Sequence, residues 1–263
     1  MRLALAVAAV LVAASAASAA PPKPVLLGIS FPEGFSARQM VDRVAAVRRI
    51  AIANRHVTPR LTAKSYAAAL TTTRAPAVFR PFMKRKSIEG FLFPSLYKFG
   101  PADTAPRLIS LQLAEFDRRW ATVDLRGVTE NPYEVLTVAS MVEREAAVEG
   151  ERPLVAAVIY NRLAQKMPLG IDATLRYGLG IPCTRPLTKA QLQSDSPYNT
   201  RRFTGLPPTP IANPGLASIR AAATPAPVDY LYYVRIPGTV RHFFTADYGE
   251  FCEKVTEYGY GAC

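Results

Sequence analysis

The chain has 263 residues, of which 49% are hydrophobic, enough to build the core of one large domain or two small ones and to exclude a disordered chain. Its 32 Lys and Arg against 20 Asp and Glu give a net charge of +12, which suits a polyanion such as nucleic acid, an anionic membrane surface or an acidic polysaccharide. Three cysteines are too few for a disulfide scaffold, and two histidines, His56 and His242, with no C-x-x-C pattern, give no basis for a zinc site or another metal cofactor. Cys252 and Cys263 are the likelier partners among the three, since their bond would close a short loop and tie down the last residues.

Arg2 precedes the uncharged run LALAVAAVLVAASAASAA, which ends in Ala-x-Ala sites at Ala14/Ala16 and Ala17/Ala19, so residues 1–20 read as a secretory signal peptide. The run is 18 residues long, which leaves a membrane anchor as the competing reading. An exported basic protein meets envelope polyanions, and no nucleic-acid-binding motif is present.

VLLGISF, Val25 to Phe31, is a short β-rich run, followed by a helix with Ser36 as N-cap and Met40, Val41, Val44 and Val47 at helical spacing. A second helix is expected from Thr62 to Leu70, then a turn-rich stretch and SIEGFLFPSLYKFGP. Residues 21–100 thus read as a small β-α-α module and 101–263 as a second domain. That domain opens with an amphipathic helix carrying Leu108, Leu111, Leu113, Phe116 and Trp120, capped near Asp103. NPYEVLTVASMVEREAAV follows as a buried helix, since Val135 to Val142 is apolar except at Thr137 and Ser140, and ERPLVAAVIYNRLAQK is a third helix with Pro153 in its first turn. From Leu179 the chain turns to a long ordered loop, then a short helix in GLASIRAAAT and two strands, YLYYVR and RHFFT. Helices and strands are segregated, which makes the class α+β.

The stretch Ala139 to Pro153 holds four glutamates in fifteen residues of a basic chain. Glu143 and Glu145 are two apart on a helix that turns about 100° per residue, so they point to nearly opposite sides and cannot act as a dyad. The helical neighbours of Glu143 are all small (Ala139, Ser140, Ala146, Ala147), a pattern that would leave a hollow for a ligand and raise the carboxyl pKa, as a general acid in glycosidic cleavage requires. The plainer reading is a helix end solvated by ion pairs with Arg144 or Arg152. Asp172 could supply a second carboxylate or a turn cap; Glu89 could line a cleft or end a strand. Tyr198 and Asn199 suit sugar stacking and hydrogen bonding, or capping of their own loop. His242 lacks the sequence context of a nucleophile's base and reads as a packed strand residue.

Several segments in order resemble the endolytic murein transglycosylases, the YceG-like family: FPEGFSARQM, IEGFLFPSLYKF, LTVASMVEREA, ERPLVAAVIYNRL, MPLGIDATLRYG, SPYNT with GLPPTPIANPGLASI, and DYLYYV with the later HFF. The resemblance implies an enzyme of the bacterial envelope that cuts peptidoglycan glycan strands between N-acetylmuramic acid and N-acetylglucosamine without water, leaving 1,6-anhydromuramoyl ends. It implies one catalytic carboxyl and no cofactor, and it matches that role to Glu143, with Glu145 as a companion acid. It further implies that Glu89, Asp172, Thr174, Ser196, Tyr198 and Asn199 border the glycan groove, and that residues 21–100 form a LysM-like module. Attachment to the inner membrane and coupling to the cell-wall synthesis machinery are implied as well. The chain departs from the family pattern at Ser95 and Leu96, at Gly170 and Ile171, and at Arg201. A non-catalytic peptidoglycan-binding protein, or a lysozyme-type hydrolase using Glu143 with Asp172, are the alternatives.

Overall fold

Strand β1 (Leu27–Ser30) pairs antiparallel with β2 (Leu96–Phe99), Leu27 opposite Phe99. Alternation turns Leu27, Ile29, Tyr97 and Phe99 into the core and leaves Leu96 exposed. The computed structural model describes residues 25–261, so the expected leader at 1–20 and Cys263 lie outside the described residues; Cys252 is disulfide-bonded and Cys183 is an exposed free thiol. No helix among the described residues is long and apolar enough to cross a membrane.

Between the two strands lie α1 (Ala37–Arg55), α2 (Ala63–Thr72) and a 3₁₀ turn, Ala77–Phe82. Ser36 with Gln39 and Thr62 with Ser65 form reciprocal capping boxes that fix both helix starts, so the β-α-α reading gains β2 as a closing strand. Helix α3 (Ala105–Trp120) has Thr104 as its N-cap rather than Asp103, whose carboxylate instead accepts from the Gly100 amide and pairs with Arg107.

Helix α4 (Pro132–Glu145) starts at the Asn131–Glu134 capping box with Pro132 in its first turn, and every residue from Val135 to Val142 is buried. Helix α5 (Arg152–Ala164) follows, then α6 (Asp172–Leu179) and α7 (Lys189–Leu192), then α8 (Leu216–Ala223). Strand β3 (Tyr232–Arg235) pairs antiparallel with β4 (His242–Thr245), and α9 (Tyr248–Glu257) closes the described chain. The sequence pattern assigns neither α6 nor α9. The first is short, and the second lies past the strands with which the sequence reading ends.

An aromatic cluster fills the space between the 3₁₀ turn, the 88–93 segment and α3. Phe79 lies edge-on to Phe91 at 4.9 Å and to Trp120 at 4.9 Å, and Phe91 edge-on to Phe116 at 5.2 Å. Gly90 holds φ at +92°, and a Cβ there would run into the ring of Pro210, so this close approach requires glycine.

The same crossing is tied by Asn213. Its Oδ1 accepts from the amides of Gly90 and Leu92, both at 2.9 Å. Its Nδ2 donates to Phe35 O at 2.9 Å and to Glu89 Oε1 at 2.7 Å, and its backbone pairs with Gly34 and Phe35. Glu89, 4% exposed, also accepts from the Ala37 amide at the start of α1 and from the Tyr177 hydroxyl on α6. Burial lifts its carboxyl to about 7 against the opposing effect of these donors.

Asn213→Ala, which orphans several buried groups at once, is expected to lower unfolding free energy by about 3 kcal/mol in urea titration; a loss below about 1 kcal/mol would show that the crossing holds without it. Because Glu89 titrates higher folded than its ordinary 4.5, its stability contribution is full below 4.5 and lost as pH rises through 7. The stability difference between wild type and Glu89→Gln should therefore move in the variant's favour between about pH 5 and about pH 8, by on the order of 2 kcal/mol. A difference that stays constant with pH would remove this account of Glu89.

Candidate active site

The last turn of α4 carries Glu143 and Glu145, and the structure sends them to different surroundings, as their spacing requires. Glu143 Oε2 accepts from the Gly215 amide at 3.1 Å and from the Ser218 hydroxyl at 2.7 Å. Gly215 is the N-cap residue of α8, so this carboxylate supplies a cap that the residue itself lacks and meets the positive end of that helix. Ser218 Oγ in turn accepts from Arg152 Nε at 3.1 Å.

The hollow expected over Glu143 is filled by protein. Ala139 and Ser140 are fully buried, Ser140 Oγ accepts from the Ile211 amide at 3.0 Å, and the turn at Gly34 packs against the Glu143 side chain. Small residues on α4 serve here to admit backbone rather than ligand. Glu33, which the sequence reading does not single out, has its carboxylate against Gly215. Partial burial raises the Glu33 pKa, and the charge of Glu143 adds to the effect.

Glu145 faces the β3–β4 hairpin. Its Oε2 accepts from the Tyr233 hydroxyl at 3.0 Å, and no hydrogen bond engages its Oε1 among the described residues. Burial raises its carboxyl pKa; Tyr233 and His242 oppose this, the charge of Asp172 reinforces it and Arg144 opposes it. The Tyr233 ring stands edge-on to His242 at 5.4 Å. His242 is fixed at two points by Glu151, its amide donating to Oε1 at 3.1 Å and its Nδ1 lying 2.8 Å from Oε2, with the two side chains only 10% and 11% exposed. Arg162 fastens both flanks of this region, donating to Leu231 O at 2.6 Å beside β3 and to Leu169 O at 2.9 Å before α6.

Asp172, the first residue of α6, is half-exposed and pairs with Arg201 at 2.7 Å on the Glu145 side. The other expected groove residues take internal partners. Thr174 is buried, its hydroxyl donating to Ile171 O at 2.7 Å and meeting Thr200 Oγ1 at 2.9 Å. Asn199 is buried, donating to Leu192 O and Ser194 O, and so caps its own loop. Ser196 Oγ accepts from the Tyr198 amide at 3.3 Å, and the Tyr198 hydroxyl meets Thr209 Oγ1 at 2.8 Å. Glu89 sits inside the Asn213 crossing. Glu89, Thr174 and Asn199 are buried with their polar atoms engaged by neighbouring segments, which they support in this structure. Tyr233 and Glu151 are residues that sequence reasoning misses, and it reads His242 only as a packed strand residue; 91 positions separate Glu151 from His242, and no local pattern joins them. Among the described residues no group of three His, Cys, Asp or Glu could hold a metal ion.

Comparison with known proteins agrees with this architecture. A family model described as the YceG-like family matches residues 5–257. A protein of Bacillus subtilis strain 168 named endolytic murein transglycosylase is 40% identical over 150 residues, 56% of this chain and 41% of that protein. One of the same name from Streptococcus pneumoniae strain D39 is 30% identical over 236 residues, 81% of this chain and 41% of that protein. The chain thus spans about two fifths of the length of these relatives. The crystal structure of a yceG-like protein from Listeria monocytogenes superposes with a TM-score of 0.69 at 29% identity, covering 85% of this chain and 74% of that one. With a family match that takes in nearly all of its residues, the chain belongs to the YceG-like family.

Proposed function

We propose that the protein is an endolytic lytic transglycosylase of peptidoglycan, cleaving the bond between N-acetylmuramic acid and N-acetylglucosamine, with Glu145 rather than Glu143 as its proton carrier. The observation that carries the choice of residue is the contrast between the two carboxyls. Glu143 accepts from two donors that tie it to the start of α8, whereas Glu145, half-buried with a raised pKa, accepts only from the Tyr233 hydroxyl among the described residues. A general acid needs a proton near neutral pH and an oxygen that can reach the substrate.

In the reaction, protonated Glu145 gives its proton to the glycosidic oxygen as that oxygen leaves the muramoyl anomeric carbon. The resulting carboxylate then takes the proton of the muramoyl 6-hydroxyl as the 6-oxygen bonds to the same carbon. One carboxyl serves both steps and returns to its starting state, and no water is consumed. The names of the relatives support the substrate class, and the basic chain suits a strand bearing lactyl and peptide carboxylates.

The proposal includes export to the cell envelope by the N-terminal segment, attachment to the inner membrane through it, and work beside the cell-wall synthesis machinery. Residues 21–100 act in it as a LysM-like glycan-holding module and 101–263 as the catalytic part. A hydrolytic reading has one observation in its favour, since Asp172 lies on the Glu145 side and could activate water. Its ion pair with Arg201 weighs against a free base there.

Digestion of purified peptidoglycan followed by mass spectrometry distinguishes these readings, with anhydromuramoyl ends expected and reducing ends favouring hydrolysis. Glu145→Gln should lower cleavage at least about 100-fold with the fold intact. Glu143→Gln should retain measurable cleavage and lose about 1 kcal/mol of stability through the weakened α8 cap. The reverse pattern, an inactive folded Glu143→Gln beside an active Glu145→Gln, would return the role to Glu143.

A further inference from the structure

We infer that Tyr233 is a positioning residue for the Glu145 carboxyl, held in place by the Glu151–His242 pair. The inference rests on the reading of Glu145 as proton carrier. Tyr233 and Glu145 are 88 positions apart, and their 3.0 Å hydrogen bond crosses from β3 to the last turn of α4. The tyrosine donates to Oε2 alone, which leaves Oε1 to hold the proton and present it. A side chain with several rotatable bonds is thereby held through Oε2, which fixes where Oε1 can face, and that restriction is what converts a carboxyl into an oriented acid.

The ring is not free to move away. On one side it meets the edge of His242 at 5.4 Å with the planes at 86°, and Glu151 fixes that imidazole through both its backbone amide and Nδ1. Phe244 adds a second ring contact at 5.8 Å. The carboxylate–histidine pair thus stands directly behind the tyrosine ring. A tyrosine kept only for packing would not need its hydroxyl aimed at a carboxylate.

The hydroxyl also affects titration. The groups facing Glu145 are Tyr233 and His242 from the hairpin, Asp172 from α6 and Arg144 from α4 itself. Asp172 carries its own partner, Arg201, and His242 carries Glu151. A donor to a carboxylate favours its charged form, so Tyr233 lowers a pKa that burial has raised, and its removal lets that pKa climb further. The two chemical steps need a group that gives and regains a proton near one pH, and the tyrosine moves the carboxyl toward that balance.

The test is the pH dependence of cleavage of purified, uncrosslinked glycan strands by wild type, Tyr233→Phe and Glu145→Gln, with thermal unfolding measured in parallel. For Tyr233→Phe the expected results are an alkaline limb of kcat displaced upward by about one pH unit, a kcat about tenfold lower, and KM within about twofold. His242→Gln should shift the limb in part, since it loosens the ring without removing the hydroxyl. A Tyr233→Phe profile that superimposes on wild type overturns the inference, whether or not the variant melts earlier, because a packing role alone moves stability and not the limb. An active Glu145→Gln would instead overturn the reading on which the inference rests, so the two failures are told apart.

Discussion

A buried amide, the side chain of Asn213, holds the fold where three distant segments cross. It satisfies donors from the 89–92 segment and acceptors in Phe35 and Glu89 at once, which local chain structure could not do. Polar groups placed this deep are costly unless every one finds a partner, and here the partners belong to different parts of the sequence. The crossing therefore fixes relative position more than it adds net stability. It sets the turn at Gly34 and the loop before α8 against α4, whose last turn carries both glutamates.

With that frame set, the direction of each glutamate follows from helix geometry. The side of α4 that bears Glu143 meets the start of α8, where amides without helical partners demand an acceptor. The side that bears Glu145 meets a hairpin which offers one hydroxyl. Two carboxyls of the same type, two positions apart, thus meet different surroundings through what the tertiary fold brings to each.

Much of the fold was legible in the sequence, and the reason is local. Ser36 announces a helix start through a cap that operates within three residues, and the apolar run from Val135 to Val142 announces a buried helix. The opposed directions of Glu143 and Glu145 were legible for the same reason. The choice between them was not, because it depends on partners 72 to 88 positions away, and because small neighbours on a helix have the same pattern whether they admit a ligand or a crossing chain. Thr174 and Asn199 illustrate the limit from the other side. Polar residues read as recognition until the carbonyls they serve, Ile171 at the start of α6 for one and Leu192 with Ser194 for the other, are seen to lie a few residues away in the chain.

Arg201 shows how a departure from the family pattern can fit the site's electrostatics. It pairs with Asp172, the acid whose charge pushes the Glu145 pKa upward. Neutralising that charge in part works in the same direction as the Tyr233 hydroxyl, since each favours the ionised form of Glu145. Burial works against ionisation of this carboxyl, and a half-exposed ion pair on one side and a braced phenol on the other work against burial. Of the two, the phenol exerts the more constant influence, because an ion pair that is nearly half exposed weakens as salt screens it, whereas a hydrogen bond at 3.0 Å does not depend on ionic strength in that way.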